Sequence, residues 1–209
     1  MKKILLAILV ISLSTAVVAL EKTKKENIKS DNKSFEVATF AMGCFWCVQP
    51  VFDKAVGVIQ TQVGFSGGKE KNSTYKEVAK GKTGHAEAIE ITFDPKKTTY
   101  ENMLELSWRN IDPTDGTGQF VDRGPQYRPA IFFHNDEQKK IAEESKKRLE
   151  SKKKFERPIA VSIEPYLFFV AIHGEDEKKH DKYYQKNPFG YELYKKGSGR
   201  EKILQEMNK

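Results

Sequence analysis

Apolar and polar positions alternate most regularly over residues 85–93, where Ile89, Ile91 and Phe93 are set against Ala88, Glu90 and Thr92. A period of two marks a half-buried strand, and Asp94-Pro95 ends it. Further strands are predicted over 35–41, with a turn at Gly43, and over 58–64, before the glycine-rich turn Phe65-Ser66-Gly67-Gly68. Helical spacing takes over from Cys44, with Val51, Phe52 and Ala55 as the apolar stripe and Pro50 placed in an early turn. A short helix is predicted from Ser73 or Thr74 to Lys80. A longer one carries Tyr100, Met103, Leu104, Trp108 and Ile111 behind the caps Thr98 and Thr99.

From 112 to 129 the periodicity stops, and the stretch holds Pro113, Gly116, Gly118, Gly124, Pro125 and Pro129. A loop of that length inside a compact domain is usually functional or disordered. Strands over 130–134, 159–163 and 167–172 follow, with a polar helix over 136–153 between the first two. The tail is predicted as a helix from about Asp176 and then the aromatic-rich Asn187-Pro188-Phe189-Gly190-Tyr191. Strands and helices mixed in this order indicate one α+β or α/β domain.

The first residues follow a different logic. Lys2 and Lys3 precede an apolar run, and Val17-Val18-Ala19 offers small residues for cleavage, so residues 1–19 have the outline of a secretory signal peptide. An uncleaved membrane anchor is the rival, but Ser12, Ser14 and Thr15 interrupt the run. Residues 20–34 are polar and lysine-rich and read as a flexible leader, leaving 35–209 as the folded domain. An exported protein, periplasmic or secreted, is expected.

Composition narrows the chemistry. The chain has 209 residues, of which 38% are hydrophobic, enough for one core. Its formal charge is +7, which falls to +5 without Lys2 and Lys3. The lysine runs near 146–154 alternate with glutamates on a helical pattern, which reads as a solvated face; no nucleic-acid partner is expected. The only two cysteines, Cys44 and Cys47, are too few for a four-thiolate metal site. The four histidines show no ligand spacing, so no metal is expected.

Cys44 follows a glycine turn at a helix start, where free N–H groups and the helix dipole favour the nucleophilic thiolate. Cys47 lies one turn on; a buried structural thiol and a redox partner both fit it. Glu87 has the strand parity of Ile89 and Ile91. On an apolar face its carboxyl would hold a proton near neutrality and serve as a general acid. At the strand end it could equally reach solvent or a lysine. Phe45 and Trp46 fit either the core or an apolar cup for a methyl or thioether. Tyr75, Asp122 and Tyr127 sit in a helix start and the long loop, where site residues concentrate, although each taken singly reads as structural.

Gly43-Cys44-Phe45-Trp46 resembles the signature of the A-type peptide methionine sulfoxide reductases. The resemblance continues in order through Gly64-Phe65-Ser66-Gly67-Gly68, Thr74-Tyr75-Lys76-Glu77-Val78 and Gly84-His85-Ala86-Glu87-Ala88. It extends through the block from Asp122 to Arg128 to His180 and Lys186-Asn187-Pro188. It implies an α+β domain around a mixed sheet with a βαβ, ferredoxin-like core and flanking helices. Also implied are attack by Cys44 on the sulfur of the S epimer, and protonation of the oxygen by Glu87, helped by Tyr75 and Tyr127. Phe45 and Trp46 would hold the methyl group, and Asp122 would support the site. The implied substrates are oxidised proteins, peptides or free methionine sulfoxide. No bound cofactor is expected, and the enzyme is expected as a monomer.

Many family members recycle the sulfenic acid with tail cysteines, but residues 198–209 contain none. Cys47 is therefore the candidate resolving thiol, with an exported thioredoxin-like protein or another thiol as reductant. Two rivals stand beside this reading. One is a thioredoxin-like oxidoreductase built on Cys44-x-x-Cys47, which leaves Glu87 and the tyrosines unexplained. The other is a sulfoxide-binding module without turnover, against which the intact Cys44 and Glu87 argue.

Overall fold

The computed structural model describes residues 35–209. The signal-peptide and leader assignments, 1–19 and 20–34, lie outside the described residues. In chain order the first half holds β1 (Glu36–Met42), α1 (Phe45–Asp53), β2 (Val58–Ser66), α2 (Tyr75–Val78), β3 (Ala86–Phe93) and α3 (Tyr100–Trp108). The second half adds the two-residue strands β4 (Gly118–Gln119) and β5 (Asp122–Arg123). Then come β6 (Pro129–Phe133), α4 (Asp136–Ser151), β7 (Ser162–Pro165) and β8 (Val170–Ala171). The tail is α5 (Gly174–His180), α6 (Tyr183–Lys186), α7 (Pro188–Gly197) and α8 (Arg200–Met207).

The main sheet runs β7-β6-β1-β3-β2-β8. Every pairing is antiparallel except β6 with β7, so the sheet is mixed. β1 and β2 are parallel with β3 between them, and β3 and β6 are parallel with β1 between them. Helices α1 and α3 make the two crossovers, the split βαβ arrangement of a ferredoxin-like core. The class is α+β. One sheet face buries Phe40, Ile89, Ile91 and Phe93 against Phe52, Leu104 and Trp108 of α1 and α3. The other face carries Ala41, Ala86, Ala88 and Ala130, whose small side chains admit Tyr166 and Phe169 of the segment before β8.

Several expectations shift here, each for a packing reason. The strand over 58–64 continues through Phe65 and Ser66, because both pair with β3 opposite Glu87 and Ala86. The strand over 167–172 shortens to Val170–Ala171, which pairs only with the edge of β2. The strand over 159–163 moves to Ser162–Pro165, where β6 supplies a parallel partner. The long loop is ordered by the β4–β5 hairpin and a 3-10 turn over Pro125–Tyr127. Pro50 lies inside α1 rather than in its first turn and offers no N–H to the carbonyl of Trp46. The tail is four helices, broken where Lys182 and Gly199 take positive φ.

Candidate active site

Gly43 turns β1 into α1 with φ +81, and a Cβ there would lie 2.6 Å from Cβ of Gln119. The turn leaves Cys44 at the N-cap of α1, where its side chain makes no capping bond. That role passes to Glu87: the Phe45 N–H donates to Glu87 Oε2 at 3.1 Å in a buried contact. Glu87 therefore faces the same side of β3 as Ile89 and Ile91, as its parity predicts. It is 2% exposed, and burial pushes its carboxyl up to about 8, against the opposing Phe45 N–H and with added repulsion from Asp122.

The thiol does not behave as the helix end predicts. Burial pushes Cys44 well above the ordinary thiol range, and the charges of Glu87 and Asp122 push the same way. Only the hydroxyl of Tyr194, hydrogen-bonded to the thiol, opposes them. Desolvation and two neighbouring carboxylates outweigh the helix terminus in the resting site.

Three other predicted residues converge on this pair. A capping box fixes the start of α2: the Thr74 N–H donates to Glu77 at 2.8 Å, and Thr74 Oγ1 accepts from the Glu77 N–H. Tyr75 is thereby held at the first helical position. Tyr127 ends the 3-10 turn. Burial raises both phenols, and the next largest effects on each are the charges of Glu87 and Cys44. Asp122 on β5 accepts from the Tyr194 hydroxyl at 2.6 Å, and burial raises its carboxyl.

The aromatic pair divides. Phe45 is 1% exposed and packs with Val63, Phe65 and Val78. Trp46 is half-buried, its ring stacked 3.9 Å from that of Tyr183 and edge-on to Tyr194 at 5.6 Å. Trp46 Nε1 donates to His180 Nδ1 at 3.1 Å. An accepting Nδ1 belongs to a neutral imidazole, and burial lowers the His180 pKa accordingly. The His180 ring stacks 4.1 Å from Tyr75. His180, Tyr183 and Tyr194 thus extend the aromatic wall.

A polar latch holds this wall in place. Gln49 Nε2 donates to Asp181 Oδ1 at 2.7 Å, and the Lys182 N–H donates to Gln49 Oε1 at 2.7 Å. Lys182 Nζ pairs with Asp53, which also accepts from Thr61 at 2.6 Å and from Tyr184 at 2.7 Å.

Cys47 is a buried free thiol on the same helix. Burial raises it, and the nearby cations Arg200 and Lys195 pull it back down. The structure therefore gathers Cys44, Phe45, Trp46, Tyr75, Glu87, Asp122 and Tyr127, with Cys47 adjoining. Sequence reasoning missed Tyr183 and Tyr194 and noted His180 only as part of a motif. Their signal was the aromatic density of the tail.

The sequence model of the family described as peptide methionine sulfoxide reductase matches residues 36–209. The MsrA of Bacillus licheniformis is 51% identical over 172 residues, covering 82% of this chain and 92% of that protein. The MsrA of Bacillus subtilis strain 168 is 48% identical over 174 residues, covering 82% and 94%. Among solved structures, methionine sulfoxide reductase A of Corynebacterium diphtheriae superposes with a TM-score of 0.66 at 29% identity, covering 77% of this chain and 79% of that one. Reduced Mxr1 of Saccharomyces cerevisiae gives 0.65 at 32% identity, covering 77% and 90%.

Proposed function

The chain belongs to the peptide methionine sulfoxide reductase family, and from that premise we propose how its residues carry the reaction. It is an oxidoreductase that reduces the sulfoxide of methionine to the thioether. The observation that carries the mechanism is the Phe45 N–H bond to Glu87, which joins the acid to the residue following the nucleophile.

Cys44 sulfur attacks the sulfoxide sulfur while Glu87 donates a proton to the oxygen. In the adduct the substrate S–O bond breaks as the protonated oxygen passes to Cys44 sulfur, and the bond between the two sulfurs breaks with its electron pair going to methionine, which leaves Cys44 as a sulfenic acid. A carboxyl raised to about 8 is protonated at neutral pH and fits a general acid. Its neutral form also removes the largest electrostatic penalty on the Cys44 thiolate. Tyr75 and Tyr127 hydrogen-bond the oxygen as charge develops on it. Phe45 sets the depth of the cup, and Trp46 receives the methyl group. Asp122, tied to Tyr194, holds that phenol against Cys44.

Cys47 then attacks the sulfenic sulfur, forming the Cys44–Cys47 disulfide and releasing water. A thioredoxin-like dithiol restores both thiols. Support for this comes from the cysteine count: no other thiol exists in the chain. The signal-peptide pattern supports export, with the donor in the same compartment. Cell fractionation and the N-terminal mass of the mature protein test that assignment.

The deciding experiment incubates the protein with dithiothreitol and each epimer of a methionine-sulfoxide peptide. The S epimer yields methionine with the wild type and none with Cys44→Ser. Equal yields from the two proteins, or turnover of the R epimer alone, would overturn the reading.

A further inference from the structure

Phe189 and Leu193 are left 81% and 66% exposed, and they stand four positions apart on α7. That spacing makes them neighbours on one face of the helix. Single exposed apolar side chains are ordinary on a protein surface, whereas paired large ones mark a surface that something covers.

The adjoining face of α7 builds the substrate site. Tyr194 lies edge-on to Trp46 and donates to Asp122. Asn187 caps the helix, its Oδ1 accepting from the Gly190 N–H at 3.0 Å, and its Nδ2 donates to the Tyr183 hydroxyl at 3.0 Å. Gly190 lets that hydroxyl come close, since a Cβ there would lie 2.7 Å from Tyr183 Oη. At 3.6 residues per turn, Gly190 points about 60° from Leu193 on one side and about 40° from Tyr194 on the other. The path out of the cup from Trp46 therefore leads over the stacked Tyr183 ring and Gly190 to Leu193, and then to Phe189.

The geometry points to this face of α7 as a second recognition surface for the substrate, on which Phe189 and Leu193 bind a large apolar side chain near the oxidised methionine of a polypeptide. The inference rests on the reductase reading above, with the methyl group on Trp46. Gly190 leaves this rim of the cup without a side chain, so an extended substrate backbone can cross it. A residue two or three places from the sulfoxide is then carried about 7–10 Å beyond the cup. Methionine is mostly a core residue, so its chain neighbours are often apolar, and they lose their packing when the sulfoxide disrupts the core. An apolar face beside the cup reads that context as well as the sulfoxide itself.

First-turnover rates test this, measured without any reductant from the methionine formed. The host peptide carries the S epimer of methionine sulfoxide between three glycines on each side, and a leucine is walked through the six flanking positions. Leucine two or three residues away on one side is expected to raise the second-order rate constant about tenfold over the glycine host, as covering much of its apolar surface would. In Phe189→Gln/Leu193→Gln, which keeps good helix formers on an exposed face, that gain is expected to fall to about twofold or less. Val56→Gln, at a site 78% exposed in the turn after α1, is expected to keep the whole gain. Each gain is a ratio within one protein, so a general loss of activity cancels.

No gain from leucine at any position, equal gains at all six, or a gain that survives in the double variant would overturn the α7 surface. If the surviving gain comes with slower thioredoxin-driven cycling, the face belongs to the reductant instead. A wild type that forms no methionine from the glycine host would remove the reductase reading itself, which the leucine ratios do not address.

Discussion

At the scale of single residues, the site is governed by where charge is allowed. Glu87 and Cys44 are both buried, and a charge on Glu87 makes ionisation of Cys44 harder. With its carboxyl raised to about 8, Glu87 is available as an acid below that pH and lost above it. The rate of the first turnover should therefore fall as pH rises through about 8. Glu87→Gln should remove that limb and slow the step by roughly 10²–10⁴-fold, as rapid-quench assays of methionine release would show. Stability should respond in the same direction. A folded-state pKa above the ordinary 4.5 destabilises the ionised form, so stability is lost as pH rises from 4.5 through 8. Glu87→Gln should unfold at higher urea than wild type above pH 8, by at most roughly 5 kcal/mol, with the gap closing towards pH 4.5. A gap independent of pH would contradict the raised carboxyl. Tyr194 provides the opposing influence on Cys44. In a Cys47→Ser background, Tyr194→Phe should slow iodoacetamide labelling of Cys44 at a fixed pH near 8, because the thiol rises further.

At the scale of elements, α1 is the organising piece. Its N-terminus holds Cys44 and takes Glu87 as a cap, while its C-terminal half fastens the tail through Gln49 and Asp53. That latch places His180 and Tyr183 on Trp46, so its loss should reach the substrate site from a distance. Gln49→Leu strands the Lys182 N–H and the Asp181 contact, at a cost of about 1–3 kcal/mol to stability. Steady-state assays should show a higher KM for the sulfoxide peptide with a smaller change in kcat, and Trp46 fluorescence should shift as Tyr183 leaves its face. Unchanged fluorescence together with unchanged KM would show that the latch does not shape the wall. Much of this element was legible. Apolar spacing, the glycine turn and the cysteine at the helix start all lie within a dozen residues. The latch was not legible, because Gln49 and Asp53 look like ordinary polar helix positions until Lys182 and Tyr184 meet them.

At the scale of the whole molecule, a ferredoxin-like sheet carries the acid on a central strand and the nucleophile at the following layer of helix. The family match spans residues 36–209, so a fragment of residues 35–209 should fold cooperatively and form methionine with dithiothreitol. Matching thermal unfolding curves of fragment and full chain would check this. The sequence by itself determined the strand parity that Glu87 shares with Ile89 and Ile91, the helix start that carries Cys44, and a single domain of mixed strands and helices, since each depends on spacing between near neighbours. It also fixed the supply of thiols, which depends on counting alone. Only the tertiary structure decided the resting proton balance of Cys44 and Glu87, because desolvation depends on everything packed around a group. It alone brought Tyr194 and His180, more than a hundred residues away in the chain, onto Cys44 and Trp46. It also set Cys47 near Arg200 and Lys195 of the tail, which no local pattern encodes.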